Sequence, residues 1–246
     1  MTEPAHQPLS LPAPADRGSP GGILVACARQ SSMPGYEELL VAGDHMHAAR
    51  LPPGRAGQFR AGRTLLRWAL HRSLGVGAQS YLIDTTERGK PILRDAPEVG
   101  ISISHGGGVV AVAVAPWRSV GIDTEPPVPL RATLVRRCCS WDQQQELAAV
   151  SVDRQPSLLA RCWTVHEAQA KAAGIGLSRN FTFYPGMLRA ESGRSGSMGW
   201  KTLPDYEGCA MTVAFGVPDV PPRIELTLLD QIVTSIEPRS APWRLT

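Results

Sequence analysis

The sequence predicts an α+β fold with two halves of similar make-up, and three observations carry that expectation. Short β-type segments, "VGISISHGGG", "VVAVAVA" and "SVGIDTE", follow one another in mid-chain without the helices that a regular βαβ repeat would place between them. Each half also supplies strands and at least one long helical stretch. The chain has 246 residues and 43% hydrophobic content, enough for one large domain or two lobes around a sizeable core. A boundary falls near Pro116 to Pro129, although the halves show no sequence repeat.

Taken in order, residues 1–20 are rich in Pro, Ala and Ser and are expected as a disordered tail. Residues 21–118 are expected to form an N-terminal lobe, and 119–246 a C-terminal lobe with a C-terminal extension. Order begins with "ILVACA" at Ile23, a short apolar run that fits a strand. From Gly54 the spacing of Phe59, Leu65, Leu66, Ala69 and Leu70 predicts an amphipathic helix that stops at Gly75. Its arginines, Arg60, Arg63, Arg67 and Arg72, read as a solvated face, with Arg55, Arg60 and Arg63 as candidate phosphate contacts.

After the mid-chain strands, "ATLVRRCCSWDQQQELAAV" and "SLLARCWTVHEAQAKAAG" read as two helical stretches, with Trp163 as a core residue and Gly174 and Gly176 as the stop. Strand-like pieces follow at "NFTFYPGML", "GWKTLP", "CAMTVAFG" and "RIELTLL", with "ESGRSGSMG" as a hairpin tip.

Composition narrows the function. The formal charge of +3 is mild, but arginine greatly outnumbers lysine, which suits an anionic ligand or an acidic partner. No aromatic-interleaved basic stripe or recognisable module points to nucleic acid. No apolar run approaches a bilayer span and the N-terminus lacks a signal-peptide pattern, so the expectation is a cytoplasmic protein with no membrane partner. Five cysteines form no Cys-x-x-Cys pair, and reduced, buried thiols are expected.

The chemistry concentrates in two places. In "VGIDTE", strand alternation puts Asp123 and Glu125 on one face, where two carboxylates repel unless something positive sits between them. A metal ion answers that, and so does solvation at a strand end before the "PP" break. In "WTVHEAQAKAAGIGL", Glu167 and Lys171 share a helical face. His166-Glu167 invites a zinc-protease reading, but the second histidine this requires one turn later is Ala170. With Glu167 as third ligand, oxygen donors suit Mg²⁺ shared with a phosphate better than zinc. In "ISISHGGG", His105 precedes a glycine turn that either cradles an anion or is a plain hairpin, and "RGKP" is a turn by composition.

In this order, "RGKP", "SISH", "GIDTE" and "WTVHEAQAKAAGIGL" resemble the Sfp-type 4'-phosphopantetheinyl transferases. That family is marked by Gly-Lys-Pro, Ser-His, Gly-(Ile/Val)-Asp-x-Glu and Trp-x-x-Lys-Glu-(Ala/Ser)-x-x-Lys-x-x-Gly-x-Gly-Leu. The resemblance runs from about Gly54 to Leu177. It implies a monomer of two α+β lobes related by a pseudo-twofold axis, with coenzyme A and Mg²⁺ in the cleft between them.

It further implies that Asp123, Glu125 and Glu167 hold the metal against the coenzyme A diphosphate. His105 and Lys171 would contact phosphates beside Ser104, with Arg55, Arg63 and His166 as further candidates for the ligand's phosphates. Gly89, Lys90 and Pro91 would border the adenine. The implied reaction is attack by a serine of an apo acyl- or peptidyl-carrier protein on the β-phosphate, releasing adenosine 3',5'-bisphosphate. Glu167, or a water on the metal, would take the serine proton while Lys171 and His105 stabilise charge. Arginine-, alanine- and proline-rich usage further suggests a high-GC bacterial gene of the kind that serves polyketide or nonribosomal peptide synthases.

The chain departs from the family pattern twice. His166 stands where the family usually has lysine, and Gly106 where Ser-His-Ser or Ser-His-Thr is common. His166 leaves a second reading open, a degenerate member that binds coenzyme A or a carrier protein without transfer. Arg136, Arg137 and residues 178–187 are candidate carrier contacts.

Overall fold

The computed structural model describes residues 22–75, 79–176, 188, 190–216, 222–229 and 241–243. The expected tail over 1–20 and most of "NFTFYPGML" lie outside these residues. Each half folds along the same path of strand, long helix and antiparallel hairpin. In the first, β1 (Ile23–Arg29) leads through α1 (Ala42–Ala48) to α2 (Pro53–Leu74). A small ribbon, β2 (Ile83–Thr85) and β3 (Pro91–Leu93), precedes the hairpin β4 (Gly100–Gly106) and β5 (Val109–Ala115). β5 pairs antiparallel with both β1 and β4.

In the second half, β6 (Val120–Glu125) leads through α3 (Ala132–Cys138) and α4 (Trp141–Ala148) to α5 (Gln155–Ala173). β7 (Ser192–Ser195), β8 (Met198–Tyr206) and β9 (Cys209–Gly216) follow, and β9 pairs antiparallel with both β6 and β8. The order β1-β5-β4 in one sheet is thus repeated as β6-β9-β8 in the other. The duplication that residue identities do not reveal is present in the topology.

The two sheets pack face to face. Val25, Cys27, Ala111 and Ala113 from the first meet Val120, Ile122, Met211 and Val213 from the second in one central core. The alternate residues of the first sheet, Ala26, Val110, Val112 and Val114, point outward and are covered by Leu65, Leu66, Ala69 and Leu70 of α2. On the opposite outer face, α5 lays Val165, Ala168 and Ala172 against Trp200 and Ala214. Both sheets therefore carry apolar residues on both faces, which is why their strands read as nearly continuous apolar runs. The buried hydroxyls of Thr164 and Thr212, 2.9 Å apart, satisfy one another where α5 crosses β9.

Three features differ from the sequence expectation. The stretch 132–150 is two helices, because Ser140 and Gln143 form a reciprocal capping box that ends one and starts the next. β10 (Ile224–Leu228) pairs parallel with β1, and β11 (Ala241–Trp243) pairs with β10, so strands assigned by sequence to the second lobe complete the first sheet. Finally, Arg63 and Arg67 are not a solvated face. Both are buried on either side of Asp44, with Arg67 Nε 2.7 Å and Arg63 Nε 3.7 Å from its carboxylate.

Candidate functional site

The site forms where the edge of the first sheet meets the edge of the second. β4 and β6 lie side by side without a backbone ladder, and serine side chains take the ladder's place. Ser102 Oγ accepts from the Ile122 amide at 3.1 Å, and Ser104 Oγ accepts from the Thr124 amide at 3.3 Å. Strand alternation keeps Ile122 in the central core and turns Asp123 and Glu125 toward α5. α5 comes close because residue 121 is glycine: a Cβ there would lie 2.0 Å from the Ala168 carbonyl oxygen and 2.5 Å from the Ala172 nitrogen.

With α5 seated on Gly121, Lys171 reaches Asp123. Its Nζ donates to Asp123 Oδ1 at 2.6 Å, to Ser104 Oγ at 2.9 Å and to the Ile122 carbonyl at 3.2 Å. Ser104 Oγ in turn donates to Asp123 Oδ1 at 2.8 Å. One ammonium thus bridges β4, β6 and α5. Lys171 and Ser104, both expected on the ligand's phosphates, are in this structure engaged with Asp123.

Around this pair the carboxylates crowd. Burial pushes the Asp123 carboxyl up against the opposing pull of Lys171. Burial, then the charge of Asp123, raises Glu125, whose carboxylate is held by the Trp163 indole. Burial and the neighbouring Asp123 and Glu125 charges push Glu167 up to about 7. Asp123 Oδ2 is buried and, among the described residues, has no hydrogen-bond partner. A divalent cation that prefers oxygen ligands would relieve all of these penalties together, so the donor set fits Mg²⁺. Among the described residues no group of three or more His, Cys, Asp or Glu side chains is already arranged to hold a metal. The three acids are neighbours rather than a finished shell.

The remaining candidates surround this centre. His105 is exposed at the end of β4, just before the two-residue hairpin of Gly107 and Gly108. Partial burial of its ring, and then the Lys171 and Arg55 charges, lower its pKa. Arg55 is exposed near the start of α2, on the same side. Gly106 leaves no room for the hydroxyl residue common in the family, since a Cβ would stand 2.6 Å from the Thr124 carbonyl oxygen. The Gly89-Lys90-Pro91 turn docks on the end of α5, where Lys90 Nζ donates to the Ala172 carbonyl at 2.6 Å. A lysine there also complements the negative end of the helix dipole.

Two residues expected at phosphates lie elsewhere. Arg63 is taken up by Asp44 and stacks over Phe59, 5.2 Å from the ring centroid. His166 is buried at 4% exposure, with Nε2 2.9 Å from the Cys138 carbonyl oxygen. Burial lowers its pKa, so the ring is neutral at pH 7, the opposite of what phosphate binding asks of it.

Sequence reasoning missed Ser102, Gly121 and Trp163. Trp163 was available, because it lies four residues before Glu167 and so shares its helical face. The roles of Ser102 and Gly121 depend on which strand lies beside which, and no local pattern encodes that.

Comparisons with known proteins point the same way. A family model described as the 4'-phosphopantetheinyl transferase superfamily matches residues 119–202. The 4'-phosphopantetheinyl transferase psf-1 of Bacillus pumilus is 30% identical over 148 residues, 59% of this chain and 60% of that protein. The transferase Sfp of Bacillus subtilis (strain 168) is 26% identical over 179 residues, covering 70% and 80%. The transferase AcpT of Escherichia coli (strain K12) is 32% identical over 144 residues, covering 56% and 73%. The match therefore spans less than two thirds of the first relative's length and more than two thirds of the other two.

Proposed function

The chain belongs to the 4'-phosphopantetheinyl transferase superfamily, and from that premise we propose that it moves the 4'-phosphopantetheine group of coenzyme A onto a serine of an apo acyl- or peptidyl-carrier protein. The observation that carries this reading is the convergence of Asp123, Glu125 and Glu167 around the Lys171–Asp123 pair, with His105 and the Lys90 turn at its margins. One buried and two half-buried acids with an orphaned oxygen suit an ion shared with a diphosphate. They suit a neutral substrate poorly.

In the proposed reaction Asp123, Glu125 and Glu167 would hold Mg²⁺, and a divalent cation there would supply charge neutralisation for the phosphoryl group and its leaving oxygen. Glu167, with its pKa raised to about 7, takes the serine proton as the hydroxyl attacks the β-phosphate. Lys171 fixes the Asp123 carboxylate through its short bond and adds positive charge beside the reacting group. His105 and Arg55 face the ligand from the first sheet and its helix, and the Gly89-Lys90-Pro91 turn borders the adenine. The products are the holo-carrier protein and adenosine 3',5'-bisphosphate.

The reading includes a monomer acting in the cytoplasm on carriers of polyketide or nonribosomal peptide synthesis. No helix among the described residues is long and apolar enough to cross a membrane. The test is intact-mass spectrometry of an apo acyl-carrier protein incubated with the chain, coenzyme A and Mg²⁺, beside an EDTA control. A metal-dependent gain of one phosphopantetheine at the carrier serine is expected. Coenzyme A binding without any gain, across several acyl- and peptidyl-carrier proteins, would identify a binder that does not transfer.

A further inference from the structure

β4 ends the first sheet and β6 ends the second, so the outer side of β6 carries amides that no strand pairs. Facing them, a period of two puts Gly100, Ser102, Ser104 and Gly106 of β4 on one face, with Ile101 on the other, in the layer under α2. A Cβ at residue 100 would lie 2.1 Å from the Arg118 carbonyl oxygen, and one at residue 106 would lie 2.6 Å from that of Thr124. The two glycines therefore let the β6 chain touch β4 at both ends. The two serines fill the space between.

Two hydroxyls two residues apart thus meet two amides two residues apart. Ser102 Oγ accepts from Ile122 and Ser104 Oγ from Thr124, so Asp123, the residue between, is fixed from either side. The two serines are not equivalent. Ser104 also bonds Asp123 and Lys171, whereas Ser102, 2% exposed, bonds only the Ile122 amide among the described residues. The carbonyl of that same isoleucine accepts from Lys171 Nζ at 3.2 Å. Without the Ser102 hydroxyl the Ile122 amide is a buried donor with no partner, and β6 regains one only by moving or by admitting water. Movement there carries Asp123 and Glu125 away from their setting against His105 on β4 and Glu167 on α5.

We infer that Ser102 is a positioning residue for the divalent-cation site. It bonds none of the acids, and it acts by holding the Ile122 amide so that Asp123 and Glu125 keep their place relative to His105 and Glu167. The inference rests on the transferase reading for the cation, Mg²⁺, and adds to it a residue outside the acid cluster that sets how tightly the cation is held. Hydrogen bonds one step removed from metal ligands commonly govern metal affinity in this way.

The test is calorimetric titration of Mg²⁺ into the full chain saturated with coenzyme A, at a temperature where parent and variants are folded. Ser102→Ala should raise the Mg²⁺ dissociation constant about 10-fold. Ser102→Cys, close to serine in size but with a sulfur that accepts weakly, should do the same and decides the matter if the alanine variant does not fold. Ile101→Val, on the opposite face of the same strand, is the control: it should lower the melting temperature in EDTA and leave Mg²⁺ affinity at the parental value. Coenzyme A affinity in EDTA should stay parental in the serine variants. Parental Mg²⁺ affinity in a folded Ser102 variant, or an equal loss in Ile101→Val, would overturn the inference and leave the transferase reading intact. Failure of both Ser102 variants to fold would overturn it too, by making the hydroxyl structural first. A parent that takes up no Mg²⁺ in the presence of coenzyme A would instead sink the metal site itself, and this inference with it.

Discussion

Lys171 Nζ lies 2.6 Å from Asp123 Oδ1, and this one bond fastens α5 to the strand that carries two of the three acids. Asp123 is 3% exposed and, among the described residues, has no other cation bonded to it. Lys171→Met should therefore destabilise the fold by about 3 kcal/mol, the cost of leaving a buried ionic partner uncompensated. Urea unfolding measures it. A parental midpoint would mean that Lys171 serves the ligand and not the fold.

Asp123→Asn tests the other half of the pair. The amide keeps the shape and can still meet Ser104 and Lys171, so the variant should fold while transfer falls by at least about 100-fold, as for a group that acts on developing charge. Collapse of the fold would make Asp123 structural first.

The raised pKa of Glu167 has a defined sign. Its folded value of about 7 lies above the ordinary 4.5, so the fold favours the protonated acid. The stability this contributes is fully present below about pH 4.5 and is lost as pH rises through about 7. Burial raises Asp123 and Glu125 too, which adds in the same direction. In EDTA the melting temperature should fall between pH 6 and pH 8, and Glu167→Gln should flatten part of that slope. Added Mg²⁺ should stabilise the parent more at pH 8 than at pH 6. Equal slopes for parent and variant would show that Glu167 is ionised throughout.

The geometry that local periodicity controls could be read directly. A period of two places Asp123 with Glu125, and a period of 3.6 places Glu167 with Lys171. Helix α2 was equally legible, from its apolar spacing to Gly75 at φ 69°. The break at Ser140 is written in the chain as Ser-x-x-Gln, the pattern of a capping box. Other features depend on contacts distant in sequence. The parallel pairing of Ile224–Leu228 with β1, the serine bridges from β4 to β6 and the burial of Arg63 and Arg67 around Asp44 all belong to that class.

Gly121 carries one such contact. With a Cβ only 2.0 Å from the Ala168 oxygen, which is backbone and cannot swing away, Gly121→Ala must push α5 off β6. A loss of about 3 kcal/mol or more is expected by thermal or urea unfolding. Coenzyme A binding should weaken with it, because Glu167 and Lys171 move with the helix. A stable, binding-competent variant would mean that α5 does not pack on β6 at this register.

His166 separates two accounts of the same departure from the family pattern. If it contacted phosphate, His166→Lys would keep activity and soften its decline above neutral pH. The structure instead seals the ring against the Cys138 carbonyl at 2.9 Å and lowers its pKa by burial. A lysine there must either bury an ammonium or abandon the pocket, so the variant should lose about 1–3 kcal/mol of stability. The depressed pKa adds a signature of its own. The stability from neutral His166 is present above about pH 6.5 and is lost as pH falls through the folded value, and His166→Gln should lose that acid-side slope. The pH dependence of the activity that remains in His166→Lys should match the parent. A lysine variant of parental stability with a flattened alkaline limb would return His166 to the phosphates.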